Sequence, residues 1–478
     1  MHTAFGRLFA AFPLFFETFA RCRSANQLVT DIIGPMPRRH CPNRNRHQRP
    51  HRHGRKLRFE RGVRQRFSRQ RLLRAEQLED RRLLAVSFEL NFLAGNSIGF
   101  NDPILGAEYR TAMESAASRL GNEILHDATI SLNVSSEAFN GSSIAEAASA
   151  VGPVVPGGGF VHRVVPSKIL GEGDLNGSDV DGNVEVYFFD SSDAFTYVTD
   201  PDEADGVGEI DLQAVIQHEL VHMLGFTSNT TSNGSDDAGN GIITPGTWAP
   251  YDRYVSDLNG NRFINTDTDS PFVYRMDVTQ WNAHSTGGAG PHAGLFFDGP
   301  TATAVYGSRV PLYSPATFSL ASSVSHLDCE NYPNGDYQFS PRTHLLCHVT
   351  VTGGSPQELT LVEKAILADT GMMMREDVPP TVTTPRNIST EANTTNGFQG
   401  TNQAILDFLA EAIAEDVFDP NPTLQNDKPE TMSMGDNVIT FTATDLSGNI
   451  ANTSAVITIV DTTSPTFNLP PSLTIHAN

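Results

Sequence analysis

Cysteine is scarce in this chain, with four in 478 residues. That excludes a disulfide-dense scaffold, so folding must rest on apolar cores. No apolar run is long enough to span a bilayer. The best candidate, Leu8 to Phe19 (LFAAFPLFFETF), is short and carries Pro13 and Glu17. Its length suits the core of a signal peptide. Basic residues are missing from most of the chain. Residues 1–82 hold 20 of the 33 Lys and Arg and only six acidic residues, which leaves 13 basic against 49 acidic groups in the rest. A body this acidic argues against nucleic-acid binding, because phosphate contacts need clustered Lys and Arg. It suits extracellular solubility and calcium-rich surroundings instead.

What is present points to several domains. A length of 478 residues exceeds one ordinary core, and 39% hydrophobic residues supply material for more than one. Composition divides the chain into a basic leader (1–85), a central region (86–376), a Thr-, Asn- and Pro-rich segment (377–462) and a short remainder (463–478). DVPPTVTTP near residue 377 recurs as DTTSPTFNLPP near residue 461, which marks a tandem repeat. The second copy breaks off at Asn478, so the chain reads as a fragment.

Periodicity places the main elements. VSFELNFL from Val86, Ala128 to Val134 and Asn183 to Phe189 alternate as strands, and Ala107 to Ile124 has apolar residues at helical spacing (Ala112, Ala116, Leu120, Ile124). A helix is expected from Asp211 to Leu224. Strands and long helices together predict an α+β layer architecture. After Thr227 the chain turns loop-rich for most of 130 residues, and such a stretch inside a domain is usually functional. Ser355 to Thr370 predicts a further helix, with Ser355 or Gln357 near its start and Gly371 past its end. Asn437 to Thr444 and Ala455 to Val460 read as strands of a small β-sandwich, joined by the turn Asp445 to Asn449.

The chemistry concentrates in His218-Glu219-Leu220-Val221-His222-Met223-Leu224-Gly225. Residues four apart share a helix face, so both imidazoles can reach one metal ion. Glu219, one residue round, can meet a water on that metal as general base. The apolar neighbours bury the helix, and Gly225 permits a sharp exit. A zinc hydrolase needs a third protein ligand. Ser228 stands where the short form of the motif would place it, so it must come from farther away. The candidates are His284, His292, His326, His344, His348 or a downstream Glu. Cys329 and Cys347 could close a loop in an exported protein, worth about 3 kcal/mol, or remain two thiols.

Lesser signals compete with plainer readings. Asp174 to Gly182 (DLNGSDVDG) has the oxygen density of a calcium loop, with Glu185 at the twelfth place, but lacks Gly at the sixth. A solvated turn fits it better, and the same holds for Asp257 to Asn261. His126 and His162 have no partner pattern and read as ordinary histidines.

The string HELVHMLGF, with VYGSRVPLYSP (Val305 to Pro315) and SSVSHLD (Ser322 to Asp328) downstream, resembles the leishmanolysin-like branch of the metzincin zinc proteases and its bacterial relatives. The resemblance covers residues 86–376. It implies a zincin domain holding one catalytic zinc on His218, His222 and His326, a protein or peptide substrate, and a closing helix at Leu359 to Met372. It departs from the family at the turn beneath the metal, which reads Leu345-Leu346-Cys347-His348 without Met; Leu346 could supply a similar apolar floor. Asn437 to Asp461 resembles the hyalin repeat, an immunoglobulin-like extracellular module, and Ala404 to Pro422 fits that repeat despite its helical look. This implies extracellular-matrix or cell-surface partners. Arg71 to Ala85 resembles a tag of large exported bacterial proteins and implies secretion; the plainer reading is a solvated basic tail. Two functions follow: an exported endopeptidase with adhesive repeats, or an adhesion protein whose protease-like domain is inert.

Overall fold

The computed structural model describes residues 85–468, apart from 142, 152–156, 191, 201–205, 268–269, 287–293, 321, 330–338 and 350–354. Residues 1–84, which include Cys22, Cys41 and the stretch expected to be an export tag, His292, and residues 469–478 of the expected second repeat lie outside the described residues. The architecture is mixed, mostly strands, with two separate apolar cores.

Strand β1 (Val86–Phe92) runs parallel to β2 (Ala128–Ala138), with Val86 opposite Ala128. Parallel neighbours need a crossover, and α1 (Gly106–Asn122) supplies it. Its residues Ala112, Met113, Ala116 and Leu120 are buried, as is Ile124 beyond it. β2 pairs in parallel with β4 (Gly182–Phe188), and β3 (Ala145–Ser149) lies antiparallel outside β4, giving the order β1-β2-β4-β3. Side chains alternate across this sheet. Ile130, Leu132, Val134, Val184 and Val186 are buried, while Asn133, Asn183 and Glu185 point the other way.

Helix α2 (Leu212–Met223) packs against α1 and β3. Asp211 caps it by accepting the Ala214 N–H at 3.1 Å. That cap is worth about 1 kcal/mol. Leu212, Val215, Ile216, Leu220 and Val221 are buried, each worth about 1.5–3 kcal/mol. Burial therefore holds the helix far more firmly than its cap. The exit is the expected sharp turn: Gly225 has φ +117°, and the Phe226 N–H reaches back to the Val221 carbonyl.

The stretch after Thr227 is more ordered than its composition predicts. It holds the antiparallel pair Ile264–Asp267 and Ser270–Met276, the helices Val278–His284 and Pro300–Tyr306, and a sheet of β6 (Val310–Leu312), β5 (Leu295–Phe297) and Val255–Ser256. Trp248, Tyr251, Phe263, Trp281 and Phe297 are fully buried there. Elements this short leave too few residues for periodicity to register.

The closing helix is shorter than expected. α3 (Leu361–Asp369) begins after Thr360, which forms a capping box with Glu363. Gln357 is used elsewhere, bonding Arg119 and Asp211. Gly371 does stand just past the helix end, with φ +109°.

The C-terminal segment has its own core of Phe398, Ile405, Phe408, Met432, Ile439, Phe441, Ile457 and Ile459. Its main sheet orders β7 (Ile388–Glu391), β10 (Ile450–Val460), β9 (Gly435–Thr444) and β8 (Thr423–Asn426). Asp445 closes the β9–β10 turn by accepting the Asn449 N–H at 2.8 Å. The helical look of Ala404 onward is real: α4 (Gln403–Ala410) is capped by Asn402 and buries Ile405 and Phe408.

Candidate metal centre

Helix α2 sets His218 and His222 on one face, so their rings meet edge to face with centroids 4.7 Å apart. The third imidazole arrives from residues 322–329, which pair with β6. Tyr313 donates its N–H to the His326 carbonyl, and Asp328 donates to Pro311. Two residues before His326, buried Val324 has φ +74°. A β-branched residue in that region is strained by about 1–3 kcal/mol. The surroundings hold it there: the Tyr251 hydroxyl donates to the Val324 carbonyl at 2.8 Å, and the Val324 N–H donates to Tyr313.

The three Nε2 atoms form a near-equilateral triangle with edges of 3.0, 3.1 and 3.2 Å. Each Nδ1 faces a backbone carbonyl: His218 meets Leu345 at 2.7 Å, His222 meets Phe226 at 2.7 Å and His326 meets Ser322 at 2.9 Å. A carbonyl only accepts, so each Nδ1 carries the proton and each Nε2 offers a lone pair. Three lone pairs thus converge with no hydrogen between them, an arrangement that is repulsive without a cation. Protonation is not the remedy. Burial holds all three imidazoles below their usual range; for His222, repulsion between two protonated rings, its own and that of His218, adds to this and takes it to about 3. Burial likewise holds His326 well below the usual range, with His222 and then His218 adding to it.

Among the described residues, His218, His222 and His326 form a group that could hold a metal ion. Two nitrogens about 2.0–2.1 Å from one tetrahedral zinc stand about 3.3–3.4 Å apart, so the triangle fits with an opening of a few tenths of an ångström. The donor chemistry fits too: neutral Nε2 ligands, each oriented through its other nitrogen.

Glu219 turns toward the edge strand β3, where the Ala147 N–H donates to its carboxylate. Burial pushes Glu219 up to about 8, and Glu146 on β3 adds to that, while the Ala147 bond opposes it. A carboxyl poised near neutrality is suited to moving protons.

The other candidates stand elsewhere. His284 lies 4.0 Å from Asp257. His344 bonds the Thr343 hydroxyl, and His348 stacks on Tyr313. His126 accepts the Met373 N–H, and His162 bridges Glu172 and the Thr370 carbonyl. Ser228 keeps a supporting part, donating its N–H to Ser325, the residue before His326.

The calcium-like loops are turns with engaged carboxylates. The Lys168 ammonium sits 3.0 Å from buried Asp181 and 3.5 Å from Asp174, where a cation would be needed. Asp257 accepts from the Asn259 and Asn261 N–H groups and the Asn261 amide.

The turn Leu345-Leu346-Cys347 does lie beside the triad, through the Leu345 carbonyl on His218. Buried Leu346 accepts from the Leu327 N–H at 2.9 Å. Cys347 is disulfide-bonded to Cys329, with Cα atoms 5.6 Å apart. The bridge therefore joins the segment carrying His326 to the turn that orients His218. Replacing both cysteines by Ser should cost about 3 kcal/mol. It would appear as a lower urea midpoint, and an unmoved midpoint would show that the bridge stabilises nothing.

Reading the sequence missed the three orienting carbonyls, which are backbone groups and carry no residue signature. It also missed Glu363, which the pattern Thr360-x-x-Glu363 could have revealed. A comparison with models of known protein families finds none that matches this chain, and a comparison with curated proteins finds no match either.

Proposed function

We propose that this chain is an exported zinc endopeptidase of the metzincin type, related to the leishmanolysin-like branch, whose hyalin-type repeats serve adhesion or spacing. One observation carries the reading: three Nε2 lone pairs lie within 3.2 Å of one another, two of them on the helix that also carries the half-buried Glu219. His218, His222 and His326 would hold the ion. When bound, zinc supplies Lewis-acid polarisation of the scissile carbonyl and lowers the pKa of water beside it.

The chain's own groups do the rest. The Leu345, Phe226 and Ser322 carbonyls keep each imidazole in its ligating tautomer. Glu219 takes the proton of the attacking water and passes it to the departing amine, which completes peptide hydrolysis. A peptide is favoured as substrate because β3 is a sheet edge beside Glu219, and an extended chain can add to such an edge. The Cys329–Cys347 bridge agrees with export. Among the described residues no helix is long and apolar enough to cross a membrane.

The direct test pairs metal analysis with proteolysis. The purified protein should carry one equivalent of zinc and cleave an unfolded protein. A chelator should abolish cleavage, and added zinc should restore it. Folded protein without stoichiometric metal, or cleavage indifferent to the chelator, would sink the proposal. Stoichiometric zinc without cleavage would favour the inert adhesion reading.

A further inference from the structure

Glu363 is a fully buried carboxylate with no part in the chemistry above. In a capping box the Glu side chain need only reach back to its own cap residue. One oxygen does so here: Oε2 accepts from the Thr360 N–H at 2.8 Å and the Thr360 hydroxyl at 2.7 Å. The other oxygen looks away from the helix. Oε1 accepts from the Leu346 N–H at 2.6 Å, and the Leu345 N–H also donates to this carboxylate. Burial pushes Glu363 up, and these four donors pull it back. A helix cap alone would not require so much desolvation.

The Leu345–Leu346 backbone is where this side chain meets the triad. The Leu345 carbonyl accepts from His218 Nδ1 at 2.7 Å. The next residues are tied to the segment of the third imidazole, through Leu327 N–H on the Leu346 carbonyl and through the Cys329–Cys347 bridge. A shift of this short turn would swing the acceptor that orients His218. Groups that orient a ligand in this way usually affect affinity strongly.

We infer that Glu363 is a positioning residue for the metal centre: by gripping the Leu345 and Leu346 N–H groups it aims the Leu345 carbonyl at His218 and so fixes the direction of the His218 Nε2 lone pair. This rests on the metal reading given above. Thr360 serves the same helix cap without touching the turn, so the two roles can be separated.

The test compares full-length wild type, Glu363→Gln and Thr360→Ala by zinc competition against a chelator and by the visible spectrum of the cobalt-loaded protein. Glu363→Gln keeps the shape but leaves one acceptor oxygen for two sets of donors. Its zinc affinity should fall about 10–100-fold, with altered cobalt bands. Thr360→Ala should lower the melting temperature by a few degrees yet keep zinc affinity within about twofold and leave the cobalt spectrum unchanged. Wild-type affinity and an unchanged spectrum in Glu363→Gln would overturn the inference while leaving the metal reading standing. Wild type that binds no stoichiometric zinc would instead sink the metal reading. Should Glu363→Gln fail to fold, hydrogen exchange on wild type decides. By reciprocity, zinc must slow exchange at the Leu345 and Leu346 amides, and equal rates with and without zinc would refute the link.

Discussion

Glu219→Gln should keep its zinc and lose peptide hydrolysis by about 10²–10⁴-fold, the range set by removing a general base. Gln has nearly the same shape, and residue 219 is not among the three converging nitrogens. Its amide cannot take a proton from water. Metal content and kcat/KM on an unfolded protein measure the two halves separately; undiminished proteolysis would show that Glu219 is not the base. The same variant carries a pH signature in chelator-treated protein. Burial raises Glu219 from 4.5 to about 8 in the folded state. The folded chain therefore holds this proton more tightly than the unfolded one. The associated stability is whole below about pH 4.5 and is lost as pH rises through about 8. Metal-free Glu219→Gln lacks this loss, so its unfolding free energy should gain on wild type between about pH 5 and pH 8. A constant difference between the two proteins would contradict the burial assigned to this carboxyl.

His326→Ala should lose zinc binding by about three orders of magnitude or more, well beyond the 10–100-fold typical of groups that only orient a ligand. Two neighbouring imidazoles remain, but the third corner of the triangle is gone. Hydrolysis should fall to background with it. His348→Ala is the matched control: that ring stacks on Tyr313 and lies outside the group of three. It should retain one equivalent of zinc. Equilibrium dialysis against buffered zinc separates the outcomes, and wild-type affinity in His326→Ala would move the centre elsewhere.

Much of this was legible along the chain, and for local reasons. The pattern His-Glu-x-x-His is written on one helical turn, so spacing alone brought His218 and His222 together. The strands Val86–Phe92 and Gly182–Phe188 lie within one residue or so of their expected bounds, because alternation reports a half-buried sheet face. Gly225 announced the turn it makes. By contrast, the closing helix began five residues after Ser355, at the cap Thr360. Several polar residues there could have capped it, and only packing shows that Gln357 is engaged with Arg119 and Asp211. The short elements between Thr227 and Ser355 were illegible because two to seven residues hold no period.

The third imidazole marks the boundary between the two kinds of knowledge. From residue types and spacing alone, His284, His292, His326, His344, His348 and a downstream Glu stood level, since each lies far along the chain from His222. The resemblance to a known family singled out His326, and its Nε2 lies 3.1 and 3.2 Å from those of His218 and His222, in a group that could hold a metal ion. The sequence by itself determined a helix with two histidines on one face and a carboxylate beside them, an acidic body and a C-terminal segment of distinct composition. Tertiary structure alone decided that the His326 ring meets the other two, which carbonyls set the tautomers, and that Glu363 holds the Leu345–Leu346 turn. The reason is physical: a helical turn is specified by neighbours in sequence, whereas a shared coordination point is specified by how separate segments pack.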